Sequence, residues 1–189
     1  MLCAVADATT DPIALIARVA HGDSTAFTVL VGQLYGPNLR IATRMLGSRA
    51  DAEDALQQAL TKLWTQAGRF EPGRGSVEGW FRRILVNVCL DRLRAFRIVQ
   101  PLEAAAEVAS PDPSPFEAAV DAALGRRIDA AMMRLNPRQR AAVMLFHGEG
   151  ASMAEVALAL DTTAKAVEGL LARARTELSM LLRSERVEM

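Results

Sequence analysis

The stretch Ser152-Met-Ala-Glu-Val-Ala-Leu-Ala-Leu-Asp-Thr-Thr-Ala-Lys-Ala-Val-Glu-Gly-Leu-Leu-Ala-Arg-Ala-Arg175 decides the fold. Ser152, with Glu155 three positions on, is a capping box, and it opens a short helix that reaches Leu160. Asp161-Thr-Thr163 makes a tight turn. A longer helix follows, with Val167, Leu170, Leu171, Ala174, Leu178 and Leu181 on one side. A short helix, a turn and a longer amphipathic helix form a helix-turn-helix, whose second helix fits the major groove. Lys165, Glu168, Gly169, Ala172 and Arg173 face outward on that helix. Spacing alone equally fits an αα-hairpin packed for stability. Just upstream, Asn136-Pro137 pairs an N-cap with a first-position proline and predicts a helix through Phe146, ended by His147-Gly-Glu-Gly150.

The N-terminal half carries the same helical punctuation. Asp11-Pro12 caps a first helix, with Ile13, Ile16, Ala17 and Ala20 at helical spacing. A second helix starts near Ser24 with Phe27, Leu30, Val31 and Leu34, and Gly36-Pro37 interrupts or bends it. A third runs to Leu46, where Gly47 is a natural stop. Ser48 caps a fourth, with Ala52, Ala55, Leu56, Ala59, Leu60 and Leu63 as an apolar stripe. Its opposite face holds Glu53, Asp54, Gln57, Gln58 and Thr61. Uncompensated carboxylates there would repel phosphate, so this face suits an arginine-rich protein surface or plain solvent. Phe70-Glu-Pro-Gly-Arg-Gly-Ser76 reads as a loop, and a fifth helix covers Val77 to Arg94 with Trp80, Phe81, Ile84, Leu85 and Val88 buried.

On that fifth helix Arg83, Asn87 and Asp91 recur every four residues and share one face, with Arg94 close by. Arginine holds phosphate, and an asparagine amide matches a base edge. A solvated helix face accounts for the same pattern. Trp80 and Phe81 have the spacing of core residues more than of a base-stacking pair.

Between about Phe96 and Glu117 stand Pro101, Pro111, Pro113 and Pro115, and no long helix is expected to cross them. The 189 residues carry 22 basic and 22 acidic side chains, a formal net charge of zero. That balance excludes a chain whose whole surface coats nucleic acid. It also conceals a pattern: residues 1–95 carry 11 basic and 9 acidic groups, 126–189 carry 10 and 8, and the segment between has one arginine against five carboxylates. Two mildly basic parts therefore flank an acidic tether. Glu103, Glu107, Asp112 and Glu117 of the tether would shield the basic parts, or simply keep it soluble.

Other classes fall away. No run approaches the roughly 18 apolar residues of a membrane span, and Met1 to Thr10 has no secretory-signal pattern. Cys3 and Cys89 form no disulfide framework or CxxC pair, and His21 and His147 stand too far apart for a metal site. A cytoplasmic, non-catalytic protein without cofactor is the expectation, since the chain has no phosphate-binding glycine loop and no HExxH.

The combined pattern resembles one family over nearly the whole chain. Asp51-Ala-Glu-Asp-Ala-Leu-Gln-Gln-Ala-Leu-Thr-Lys-Leu-Trp64 resembles the region-two helix of the extracytoplasmic-function (ECF) RNA polymerase sigma factors. Trp80-Phe-Arg-Arg-Ile-Leu-Val-Asn-Val-Cys-Leu-Asp-Arg-Leu-Arg94 resembles their promoter-melting helix. Leu135-Asn-Pro-Arg-Gln-Arg140, Glu155-Val-Ala157 and Ala166-Val-Glu-Gly-Leu-Leu-Ala-Arg-Ala-Arg175 resemble their region-four helix-turn-helix.

The resemblance implies an all-α protein of two small helical domains: a region-two bundle over 11–95 and a region-four helix-turn-helix over 126–186, joined by a Pro-rich flexible linker over 96–125. It implies core RNA polymerase, promoter DNA (duplex and melted single strand) and an anti-sigma factor as partners, and no membrane. By analogy, Asp54, Gln57 and Gln58 would dock on the polymerase clamp. Arg74, Ser76, Arg83 and Asn87 would bind the −10 element and capture an extruded base, offsetting lost stacking. Lys165, Glu168, Gly169 and Arg173 would meet the −35 element. Gln58 stands where the family commonly has a carboxylate, and Glu168, Gly169 and Leu170 where relatives often carry basic or hydroxyl residues. Two rivals need no polymerase: a regulator using only the helix-turn-helix, and a helical adaptor that binds protein alone.

Overall fold

The computed structural model describes residues 10–99 and 117–184. Every regular element among them is helical. In chain order they are α1 (Pro12–Ala20), α2 (Ser24–Leu46), α3 (Arg49–Gln66), a 3₁₀ turn (Ala67–Arg69), α4 (Val77–Val99), α5 (Glu117–Arg134), α6 (Pro137–Val143), a π turn (Met144–Gly148), α7 (Met153–Ala159) and α8 (Ala164–Ser184). Acidic positions Glu103, Glu107 and Asp112 of the expected tether lie outside the described residues, as does Cys3.

Local chemistry sets the helix starts. Asp11 accepts from the Ile13 and Ala14 amides, Asp23 from Thr25 and Ala26, and Ser48 from Asp51. Asn136 with Gln139, and Ser152 with Glu155, form reciprocal capping boxes. Gly47 adopts φ 73° after α2, the left-handed stop that the sequence predicts.

Three expectations need correction. The buried side of α1 is Leu15, Ile16 and Val19, while Ile13 is 45% exposed and Ala17 and Ala20 face solvent. The pattern is ambiguous in so short a helix, and packing on α2 selects the face. Pro37 does not interrupt: α2 is one helix from Ser24 to Leu46. Gly36 offers no Cβ for the ring to strike, and the buried Asn38 donates its side-chain amide to the Leu34 carbonyl at 2.7 Å. The helix from Pro137 becomes a π turn at Met144 rather than continuing as α-helix through Phe146. There Glu149 N donates to Met144 O, and Ala151 N to Leu145 O, each at 3.0 Å.

Helices α1 to α4 form one bundle: α3 packs on α2 and α4, and α1 on α2. The alanine and leucine stripe of α3 is sealed as expected at Ala52, Ala55, Leu56, Ala59 and Leu63, with Leu60 half-buried. Helices α6 to α8 form the helix-turn-helix, with α5 against α8.

The two groups also touch. Helix α4 packs on α7 and α6, and α2 on α6. Phe81, Leu85 and Val88 of α4 are buried as predicted, but so are Val86 and Leu90, on the side of the helix turned away from Phe81. Side chains from both groups therefore join one apolar cluster.

Candidate nucleic-acid interface

The outer face of α3 is as the sequence predicts: Glu53, Asp54, Gln57, Gln58 and Thr61 are all exposed. Its carboxylates are not uncompensated, which corrects the expectation. Arg49 Nε lies 2.9 Å from Glu53 Oε1, and Arg92 Nη1 lies 3.7 Å from Asp54 Oδ2. Arg92 reaches across from α4, a partner that helix periodicity does not reveal. The two amides, Gln57 and Gln58, give the face hydrogen-bonding capacity without charge.

The loop before α4 turns on Gly73 and Gly75, at φ 98° and 131°, conformations that side chains rarely adopt. Arg74 between them is exposed and pairs with Glu71 Oε2 at 3.0 Å. Ser76 Oγ accepts from the Gly79 amide at 3.1 Å, so Ser76 also fastens the start of α4. Of the two aromatics, Phe81 is fully buried, whereas Trp80 is half-buried and edge-on to Phe70, with ring centroids 5.8 Å apart.

On α4, Arg83 and Asn87 are half-buried, and Asp91 binds Arg94 at 2.8 Å. Arg83 makes a contact that the sequence does not announce. Its Nη2 donates to Asp161 Oδ1 at 2.9 Å, in the turn of the helix-turn-helix. Asp161 has φ 49°, the left-handed region that aspartate tolerates better than most residues. Beside this pair lies a cavity of about 450 Å³, bounded on one side by Arg74, Ser76 and Arg83 and on the other by Ala151, Glu155 and Leu158.

The outward face of α8 carries Lys165, Glu168 and Arg173 exposed, as expected, with Gly169 half-buried. Lys165 Nζ pairs with Glu168 Oε2 at 3.0 Å, so the glutamate's charge is partly offset. A Cβ at Gly169 would stand 3.6 Å from Arg173 Nη1, an ordinary van der Waals contact, so the Arg173 guanidinium lies against this position.

Sequence reasoning missed two arginines of the Leu135–Arg140 segment. Arg138 Nη2 donates to Leu160 O at 2.6 Å, closing the end of α7. Arg140 is 4% exposed and donates to the carbonyls of Met133, Leu135 and, at 2.6 Å, Met45. Met45 belongs to the last turn of α2, where carbonyls lack helical partners and attract a cation. Burial without a carboxylate pulls the Arg140 pKa down to about 10. Two arginines just after a helix-capping Asn-Pro pair are the local signal; their targets lie elsewhere in the fold.

A helical bundle with an arginine-bearing helix, followed by a helix-turn-helix, is the arrangement of a DNA-binding protein. Comparisons with known proteins agree. Residues 30–97 match the Sigma-70 region 2 family and residues 125–178 match Sigma-70, region 4. The ECF RNA polymerase sigma factor SigM of Mycobacterium tuberculosis is 37% identical over 170 residues, covering 89% of this chain and 83% of that protein. The RNA polymerase sigma factor NccH of Alcaligenes xylosoxydans xylosoxydans is 36% identical over 189 residues, covering 94% and 100%. Among solved structures, CnrH in complex with the cytosolic domain of CnrY superposes with TM-score 0.63 at 29% identity, covering 92% of this chain and 97% of that one. The chain belongs to the ECF RNA polymerase sigma factors: it binds core RNA polymerase and directs promoter recognition and transcription initiation. No helix among the described residues is long and apolar enough to cross a membrane.

Proposed function

We propose that three surfaces divide the work of this sigma factor. Asp54, Gln57 and Gln58 on α3 bind core polymerase; Arg74, Ser76, Arg83 and Asn87 bind the −10 element; Lys165, Glu168, Gly169 and Arg173 meet the −35 element. The units that carry them are the bundle over 11–95 and the helix-turn-helix over 126–186, joined by 96–125. Contrary to a wholly flexible linker, the two ends of that segment are helical, as the close of α4 and the first half of α5. The chain has no catalysis of its own: polymerase makes the bonds, in the cytoplasm, while these surfaces choose and open the promoter.

The observation that carries the reading is the segregation of α3. Its apolar stripe is sealed in the bundle while its acidic and amide face is wholly exposed, a surface ready for a basic partner. On the −10 side, arginine cations hold the strand, and the cavity between loop and helix offers room for an unstacked base beside Trp80. On α8, Arg173 and Lys165 supply the phosphate contacts that fix register.

The test is promoter selection from a DNA library by purified protein with core polymerase. Gln57→Ala with Gln58→Ala should abolish core binding yet leave folding intact. Arg83→Ala with Asn87→Ala should keep core binding and lose promoter opening. Full initiation by both double variants would overturn the assignment. CnrH was solved with the cytosolic domain of CnrY. That supports a protein partner for this chain too; as an anti-sigma factor it would compete for the α3 face, testable by displacement of core polymerase.

A further inference from the structure

We propose that Glu168 reads one base of the −35 element and that this base is a cytosine, whose N4 amino group donates to the Glu168 carboxylate in the major groove. The inference rests on the assignment of α8 to the −35 element and names a base that the assignment leaves open.

Three observations lead to this carboxylate. The first is position. Thr163 Oγ1 accepts from the Ala166 amide at 3.2 Å and caps α8, so Lys165, Glu168 and Gly169 stand in its first two turns. That end of a recognition helix reaches base edges. The second is shape. At about 100° per residue, Lys165, Gly169 and Ala172 fall within about 60° of one another on the outward side, opposite the buried Val167, Leu171 and Ala174. Gly169 and Ala172 keep the middle of this face low, so the helix can sit deep in a groove. Glu168 stands at one edge and Arg173 at the other. The third is charge. Lys165 Nζ lies 3.0 Å from Glu168 Oε2, and the two side chains are 89% and 61% exposed. The ammonium offsets repulsion between carboxylate and phosphates, while Glu168 Oε1 accepts no hydrogen bond among the described residues.

The choice of base follows from the groove. Guanine and thymine present acceptors there, which a carboxylate repels; only cytosine and adenine present an amino donor. Adenine sets its N7 acceptor beside the N6 amino group, so a carboxylate taking N6 would press its second oxygen toward N7. An amide, with one donor and one acceptor, satisfies both. Cytosine itself carries no acceptor beside N4 in the groove. An acceptor-only side chain at position 168 therefore selects cytosine, and an amide there selects adenine.

The test is promoter selection by the full chain with core polymerase, from a library randomised through the −35 element. The wild type should enrich cytosine on one strand at one position. Glu168→Gln, of nearly the same size, should raise the adenine-to-cytosine ratio at that position by about tenfold and leave the other positions as they were. Glu168→Ala should flatten the preference there. Lys165→Ala is the contrast: it should weaken all sequences alike and lower the salt dependence by about one counterion. All these side chains are exposed, so helicity should not change. Identical base profiles for the wild type and Glu168→Gln overturn the cytosine contact and leave the −35 assignment standing. A change at a position where the wild type prefers another base does the same. Wild-type initiation with no base enriched anywhere in the element overturns the −35 assignment, and the cytosine contact falls with it.

Discussion

Twelve large side chains among the described residues are sealed almost completely from solvent; ten belong to the bundle and two, Leu145 and Leu160, to the helix-turn-helix. The bundle has a core of its own. The helix-turn-helix has a small one, supplemented by backbone fastenings such as Arg138 on Leu160 O and Arg140 on three carbonyls. A small domain buries proportionally less surface and is correspondingly marginal. The difference teaches where stability resides: the bundle is the platform, and the helix-turn-helix rests on it through α4 and α2.

The contrast can be broken or sharpened by substitution, because both tryptophans, Trp64 and Trp80, lie in the bundle. In a Trp80→Phe background, which removes the ring that lines the cavity against the helix-turn-helix, Trp64 emission follows the bundle alone, and far-ultraviolet dichroism follows both parts. The largest effect expected is from Phe81→Ala, about 3–5 kcal/mol, since its ring is fully enclosed near the start of α4. Both signals should fall together, because the helix-turn-helix would lose its support. A dichroism transition that stays put would show that the smaller part stands alone.

Leu160→Ala comes next, at roughly 2–5 kcal/mol, confined to the helix-turn-helix. Dichroism should shift in denaturant while tryptophan emission holds its midpoint; equal shifts would erase the distinction. Arg140→Met should cost about 1–3 kcal/mol by leaving carbonyls unpaired, again with the bundle signal spared. Ser48→Ala removes the cap accepting the Asp51 amide and should cost the bundle about 1 kcal/mol, read from the emission midpoint.

The smallest effect is one of pH. The Ser152 backbone amide, and then its hydroxyl, hold the Glu155 carboxyl below its ordinary value of 4.5. This support is present above that value and is lost as pH falls through the lower folded one. The helix-turn-helix should weaken in acid over that range, and Glu155→Gln should lack that component in a dichroism titration. Asp23, held low first by the Ala26 amide and next by Arg18, exerts the same dependence on the bundle.

Much of the molecule was legible beforehand because its signals are local. The caps at Asp11, Ser48, Asn136 and Ser152, the stripe of α3, the glycine loop and the order of the helices all follow from residues within four positions of one another. The failures have an equally physical cause. In α1 two faces were nearly equal in apolar content, and the neighbouring helix chose between them. At Pro37 packing on both sides outweighed the missing hydrogen bond, with Gly36 removing the steric clash. Asp54 looked unpaired because its partner Arg92 is on another helix, whereas the Arg49–Glu53 pair is four residues apart on α3 itself and was legible.

Of the candidate site, the sequence alone selected the residue types and faces: amides and carboxylates outward on α3, arginine and asparagine on α4, lysine and arginine on α8. Periodicity reports which side chains share a side, since each turn of helix repeats its own geometry. It holds no information on what lies across a gap. Only the tertiary structure could decide that Arg83 meets Asp161, that Arg140 ends on Met45, and that Val86 and Leu90 are covered. Those contacts join residues far apart along the chain, and only packing the two helical groups together brings them within reach.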